Sequence, residues 1–358
     1  MKGLVSLLLS ILLAIVCWGV YGPTLNEGRA DMGGSSLRPF ICVGLAYFLI
    51  AVVAPIIVLR LYGEAGHWST TGIFWSLAAG AAGAIGALGV ILALAFHGSP
   101  LYVMPLVFGC APVVNTFLTM YWHKSFKQMN PVFIAGLILV IVGAVTVLVF
   151  RPHGRPPAAQ AASPESAAAS KSAPAATETP IEGESQFGRY SMIMLFTAMT
   201  ALAWGVYGPT LHRGQMGMAG SRLRPLICVG ISYFLIAVIV PSLLLSQWDE
   251  PGEFTLRGTL WSMLGGATGG LGALGIIMAF NFGGKPVFVM PLVFGGAPVV
   301  NTFVSVTQSG SWGELHVMFY AGLIVVVAGA VTVLVFSPKP EPHAAHADAK
   351  PSTEAAPA

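Results

Sequence analysis

Two stretches of the chain place a lone amide side chain inside an otherwise apolar run. Met104-Pro105-Leu106-Val107-Phe108-Gly109-Cys110-Ala111-Pro112-Val113-Val114-Asn115-Thr116-Phe117 recurs as Met290 to Phe303, with Gly296 in place of Cys110. An amide in such a setting must bond something, because an unpaired polar group in hydrocarbon is costly. Asn115 and Asn301 therefore either contact a solute or tie one helix to another, and the sequence leaves both readings open. Pro105, Pro112, Pro291 and Pro298 remove backbone donors and free carbonyls that could line a polar path. A second repeated motif is aromatic: Trp18-Gly19-Val20-Tyr21-Gly22-Pro23-Thr24-Leu25 returns as Trp204 to Leu211. Rings with polar tips settle at a membrane interface. Trp18, Tyr21, Trp204 and Tyr207 also suit stacking on a planar or amphipathic solute. Where the copies diverge, a path made of two halves would become asymmetric. At the repeat offset Asn26 corresponds to His212, Glu27 to Arg213, Ala95 to Asn281, His97 to Gly283 and Ser99 to Lys285, which adds His212 and Asn281 to the candidate solute contacts.

Other chemistries find little support. Cys17, Cys42, Cys110 and Cys228 lie in apolar runs with no CxxC or Cys/His spacing, so they read as small packing residues. His343 and His346 in the C-terminal tail are weak grounds for a metal. No cofactor, metal site or catalytic residue is expected. Gly270-Leu271-Gly272-Ala273-Leu274-Gly275 matches the GxGxxG dinucleotide fingerprint, but that pattern has meaning only after a strand. Here it lies in an apolar span, and small residues four apart argue for close helix packing. No Asp or Glu falls in the centre of any predicted span, which weakens a proton-driven mechanism.

These residues must be positioned by membrane spans. The chain has 358 residues, 55% hydrophobic and only 9% charged, against roughly a quarter charged in soluble domains. That excludes an ordinary soluble class, and a net charge of +3 is too small and scattered for a nucleic-acid partner. Ten apolar segments are expected: Leu4–Val20, Leu37–Leu59, Gly72–Phe96, Leu101–Trp122 and Pro131–Phe150, then Tyr190–Val206, Leu223–Leu245, Leu256–Phe282, Val287–Thr307 and Met318–Phe336. The second five repeat the first without a gap at an offset of 186 residues (290 − 104). The N-terminal run superficially resembles a signal peptide, but its internal equivalent, Met192 to Ala203, cannot be a cleaved leader. Five spans per copy is an odd number, so the second copy would enter the membrane from the opposite side. The expected fold is thus an all-α membrane protein with ten transmembrane helices in two inverted five-helix repeats, residues 1–150 and 189–336. Residues 151–188 read as a disordered Ala/Pro/Ser linker and 337–358 as a disordered tail.

With the N-terminus inside, ten Lys and Arg fall on the inner side and seven on the outer. This bias favours cytoplasmic termini in a cytoplasmic (inner) membrane, with the linker outside. The partners expected are the lipid bilayer and a small-molecule solute, and a homodimer is allowed.

The order of motifs resembles the drug/metabolite transporter superfamily, in particular its EamA-type repeat. The matching residues are Trp18-Gly19 and Trp204-Gly205 ending the first span, and Arg38 and Arg224 opening the second. A Gly/Ala-rich third span runs into Ala95-Phe96, with Ala279-Phe280 slightly earlier in its copy. Pro112 and Pro298 lie within the fourth span, and a Gly-rich fifth closes the repeat. Gly313-Glu314 fits the Gly-Glu often found before the fifth span, while Lys127-Gln128 departs from it. The resemblance implies an inverted-repeat bundle that moves small metabolites by alternating access, and the odd span count separately predicts that Asn115 and Asn301 approach a common midplane from opposite sides. The Trp-Gly-x-Tyr-x-Pro form is similar to the branch that takes up sugars such as rhamnose or glucose. The rival classes are a non-transporting membrane scaffold or sensor acting through linker or tail, and a membrane-embedded enzyme, for which no constellation is found.

Overall fold

A computed structural model describes residues 2–124, 126, 130–150, 186–247, 249–310 and 312–336, so the expected tail and nearly all of the expected linker lie outside the described residues. The described residues form helices and the loops between them, with no strand among them. The first half holds α1 (Lys2–Asp31), α2 (Leu37–Phe48), α3 (Ala54–Tyr62), α4 (Thr70–Ala95), α5 (Pro100–His123) and α6 (Pro131–Val149). The second holds α7 (Gln186–Gly217), α8 (Leu223–Phe234), α9 (Val240–Leu245), α10 (Leu256–Asn281), α11 (Pro286–Ser309) and α12 (Val317–Phe336). A π turn, Leu49–Val53 or Leu235–Ile239, joins α2 to α3 and α8 to α9 without a break. Among the described residues, eight helices are long and apolar enough to cross a membrane, and α6 and α12 are shorter apolar helices. This is an all-α membrane protein.

Local chemistry explains where the helices start. Ser69, Thr255 and Asn130 accept from the backbone amides of Gly72, Gly258 and Phe133 at 3.0, 3.0 and 2.8 Å, as N-caps do. Pro100, Pro131 and Pro286 occupy first turns, where a missing N–H costs nothing.

Two expectations about helix ends change. The first span of each half is expected to end at Val20 or Val206, yet α1 runs through Pro23 to Asp31 and α7 through Pro209 to Gly217. Thr24 Oγ1 donates to the carbonyls of Val20 and Tyr21, both at 2.9 Å, and Thr210 Oγ1 to that of Val206 at 2.7 Å, so neighbouring hydroxyls take up carbonyls around the proline. Helix α7 also begins at Gln186, inside the stretch expected to be linker.

Helices at equivalent positions in the two halves pack antiparallel. Gly44 of α2 meets Val238 in the π turn after α8, while Gly230 of α8 meets Val52 in the π turn after α2. In α6 and α12, Gly136 meets Val333 while Gly329 meets Val140. The α2/α8 contacts are counterparts at the repeat offset, and those of α6/α12 have theirs in Gly322 against Val147 and Gly143 against Val326. The halves also interlock: α1 lies against α10 and α11, and α7 against α4 and α5. Gly19 leaves its Cα against Val300 and Ala297, and Gly205 does the same against Val114 and Ala111. The GxGxxG run belongs to this contact. Within α10, Gly272 faces the Trp18 indole and Gly275 faces the Ser10 carbonyl, so these glycines serve close helix approach.

Candidate functional site

Where the two halves of the chain meet, eight aromatic rings pack together. Trp18 of α1 stacks on Trp204 of α7 at 5.9 Å between ring centres, 25° from parallel. Tyr207 lies edge-on to Trp18 and Tyr21 edge-on to Trp204, each at 5.9 Å. Phe294 backs Trp18 and Phe108 backs Trp204, each at 5.8 Å, and those phenyl rings are 5.9 Å apart. On the far side, Tyr47 and Tyr233 stack face to face at 3.7 Å. The indole nitrogens fix the orientation of the tryptophans: Trp18 Nε1 donates to the Gly269 carbonyl at 3.3 Å and Trp204 Nε1 to Gly83 at 3.1 Å. Gly272 and Gly86 make room for those rings, because a Cβ at either would lie 2.2 Å from an indole carbon.

The rings enclose a cavity of about 20 Å³ bounded by Trp18, Tyr21, Tyr47, Trp204, Tyr207 and Tyr233, against the roughly 10–15 Å³ that one water requires. The hydroxyls of Tyr21 and Tyr207 are buried without a well-formed hydrogen bond. Such an arrangement can offer aromatic faces and two phenol groups to something small, and it contains no formal charge. The interface position expected for these rings is not what they adopt: Tyr21, Trp204 and Tyr207 are only 4, 8 and 2% exposed. The extension of α1 and α7 past the prolines puts the motif in mid-helix.

Asn115 and Asn301 do not share a midplane. Asn115 Nδ2 donates to the carbonyl of Pro286, the first residue of α11, at 3.4 Å; Asn301 Nδ2 donates to Pro100, the first of α5, at 2.9 Å. Helices α5 and α11 run antiparallel, and each amide sits in the last half of its own helix. Each therefore reaches the start of the other, and the two are separated by about 15 residues of rise (115 − 100), or about 22 Å. Both are fully buried, and both Oδ1 atoms are unpartnered, as are Thr116 Oγ1 and Thr302 Oγ1. The freed carbonyls suggested by the prolines are not the acceptors.

His212 and Asn281 lie together at one end. His212 is edge-on to Phe280 at 5.1 Å and half-buried, while Asn281 closes α10 and is exposed. His212 stands eight residues (212 − 204) along α7 from Trp204, about 12 Å, outside the aromatic group.

Two charged sites went unread in the sequence. Glu64, in the loop between α3 and α4, accepts from Ser221 Oγ, the amides of Arg222 and Leu223 at 2.9 and 3.1 Å, and Arg222 Nε at 2.8 Å. Glu250, between α9 and α10, accepts from Ser35 Oγ and the amides of Ser36 and Leu37 at 2.7 and 3.2 Å, with Arg38 Nη1 at 3.5 Å. Each carboxylate thus caps the N-terminus of a helix in the other half, where the backbone dipole favours an anion. Burial pushes the Glu64 carboxyl up, but the donors from Ser221, Arg222 and Leu223 outweigh it and hold the group below its ordinary value of 4.5. A signal existed: position 64 is the one place in the first half where an acid recurs at the repeat offset. Tyr47 and Tyr233 were likewise visible in the repeat, but nothing marked them as partners of the tryptophans.

No protein-family model and no curated protein matches the chain. A solved structure, described only as "Crystal structure of protein", is 17% identical and has a TM-score of 0.57. Its match covers 93% of this chain and 97% of its own. At that identity the likeness concerns fold alone.

Proposed function

We propose that this chain is a secondary transporter that moves a small polar organic solute across a membrane by alternating access. In this reading the ten apolar helices form two inverted five-helix halves, as in the EamA-type drug/metabolite transporters that the motifs resemble. The aromatic group of Trp18, Tyr21, Trp204 and Tyr207 is the solute site. The observation that carries the reading is a cavity walled by equivalent rings of two antiparallel-packed halves, with the Tyr21 and Tyr207 hydroxyls buried beside it. A site on such an axis is equally related to both sides of the membrane, as a rocking mechanism requires. The present arrangement is closed, with the indoles occupying the space a solute would take. Asn115 and Asn301 hold the two ends of the α5/α11 pair in register, and His212 and Asn281 lie at a mouth of the path. Both termini are on the cytoplasmic side of a cytoplasmic membrane.

The test is counterflow in proteoliposomes loaded with pools of unlabelled metabolites. The purified chain should accelerate entry of at least one labelled solute with saturation, and Trp18→Ala should reduce that flux at least tenfold. Flux equal to that of empty vesicles for every pool would sink the proposal.

A further inference from the structure

The face of the bundle where α7 ends carries a cation with no charged partner. Arg213 is exposed on α7, and its guanidinium carbon lies 3.8 Å over the Trp122 ring of α5 and 5.0 Å from the Trp75 ring of α4. The two indoles meet edge-on at 5.6 Å, so the cation sits in a corner between them. Stacking engages the flat faces of a guanidinium and leaves its N–H edges free for a forked acceptor such as a carboxylate or phosphate. No protein group takes them: among the described residues Arg213 makes no ion pair and donates no hydrogen bond. In the inverted arrangement proposed above, Glu64 is the one acid on this face among the described residues, and Arg222 and Arg224 already hold it.

Depth and asymmetry identify the acceptor. Arg213 stands nine residues (213 − 204) along α7 from Trp204, about 14 Å, close to the half-thickness of about 15 Å of a hydrocarbon core. Trp75 and Trp122 occur beside Phe74 and Tyr121, 63 and 68% exposed, in the pattern of an interface belt. A guanidinium at that depth meets the phosphate level of the bilayer. At the repeat offset the other face has Glu27 for Arg213 and Gln308 for Trp122, with only Trp261 kept for Trp75. The clamp is therefore one-sided. It lies on the face that the Lys and Arg count assigns to the cytoplasm, where the leaflet is rich in anionic lipid. Lys124, exposed two residues after Trp122, adds a positive charge beyond the end of α5. A zwitterionic headgroup would bring its own ammonium against these cations and find the indole faces occupied. We propose that Arg213, held by Trp75 and Trp122, binds the phosphate of an anionic phospholipid in that leaflet. Because the clamp joins α7 of the second half to α4 and α5 of the first, the bound lipid fastens that contact.

Native mass spectrometry of the full-length chain, released from micelles containing phosphatidylglycerol or phosphatidylcholine of the same acyl chains, reads the site. Thermal shift in nanodiscs of the two lipids is the second readout. The wild-type chain should retain phosphatidylglycerol roughly fivefold more tightly than phosphatidylcholine, the effect of one basic residue at an anionic surface, and melt higher in the anionic discs. Arg213→Gln should abolish the preference. Arg213→Lys should weaken it, since an ammonium keeps the charge and loses the fork. Arg60→Gln, which removes an exposed cation of the same face, should leave it intact. Equal retention of the two lipids by the wild type overturns the site without any reliance on a variant that folds, and so does a preference that survives Arg213→Gln in full. Displacement of phosphatidylglycerol by inorganic phosphate or glycerol 3-phosphate would make Arg213 a site for a free anion and overturn the lipid assignment. None of these readouts depends on flux, so the lipid site and the transport reading stand or fall separately.

Discussion

Glycine does two different jobs in this chain, and the repeat distinguishes them. At Gly86 a methyl group would sit 2.2 Å from the Trp204 ring, and the equivalent Gly272 meets Trp18 in the same way. At Gly270 the nearest atom is a methyl of Ile50 at 3.2 Å, and the equivalent position already carries Ala84, fully buried. Gly270→Ala should therefore be accommodated by a small shift of Ile50 and raise thermal stability by about 0.5–1 kcal/mol, the usual gain of Ala over Gly within a helix. Gly86→Ala should cost about 1–3 kcal/mol through overpacking and change the tryptophan emission, because the Trp204 indole must leave the Gly83 carbonyl. Paired melting curves and fluorescence spectra of the two variants check this; a Gly86→Ala protein with native emission would contradict the role given to Gly86. At this scale the sequence was informative about residue type and silent about partner. Trp18, Tyr21, Asn115 and their copies stood out because aromatic and amide groups are conspicuous in apolar spans. That the tryptophans would face each other, and the asparagines lie about 22 Å apart, depends on which helices are neighbours, and one helix's composition does not encode that.

Helices were the most legible level, because apolar length alone determines a span, while their ends depended on contacts far along the chain. Pro23 and Pro209 are ordinary helix stops in water, yet here each helix gains more by continuing into the groove beside α10 or α4 than it loses at one missing hydrogen bond. The start of α8 shows the same dependence. Arg222 caps it in sequence terms but makes no side-chain cap; the capping group is Glu64, 158 residues away (222 − 64). That distance explains why it could not be read locally. The Glu64 carboxyl is held below its ordinary value, so the folded state favours the ionised form. Its contribution to stability is complete above the unfolded value near 4.5 and is lost as pH falls through the lower folded value. Melting temperature should accordingly drop as the pH is lowered from about 5 into the acid range. Glu64→Gln should flatten that part of the profile and cost roughly 2 kcal/mol at neutral pH, since Arg222 and three other donors lose a charged acceptor. A Glu64→Gln protein that keeps the full wild-type acid dependence would show that another group is responsible.

At the scale of the molecule, the offset in the sequence and the antiparallel contacts in the structure bear on the same question from independent directions. An odd number of spans per half predicts inversion by counting, which fails if one span is miscounted. The contacts do not depend on counting: Gly44 with Val238 and Gly230 with Val52, or Asn115 with Pro286 and Asn301 with Pro100, require equivalent helices to run in opposite directions. Under the inverted arrangement proposed above, equivalent loops emerge on opposite sides of a membrane. His67 and Glu253 are such a pair (253 − 67 = 186), both exposed and each three residues beyond a capping carboxylate. Cys17, Cys42 and Cys228 are buried and Cys110 is half-buried on α5, so a single introduced thiol can be labelled against a low background. A membrane-impermeant maleimide should react with His67→Cys only from the cytoplasmic face and with Glu253→Cys only from the opposite face. Intact cells compared with inverted vesicles give the two sides. The charge bias predicts which face is which, and the contacts predict that the faces differ, so the two claims fail separately. Labelling of both thiols with the sides exchanged would reverse the orientation and leave the inversion intact. Labelling of both from one side would remove the inverted arrangement, and with it the reason for placing a solute site on the axis between Trp18 and Trp204.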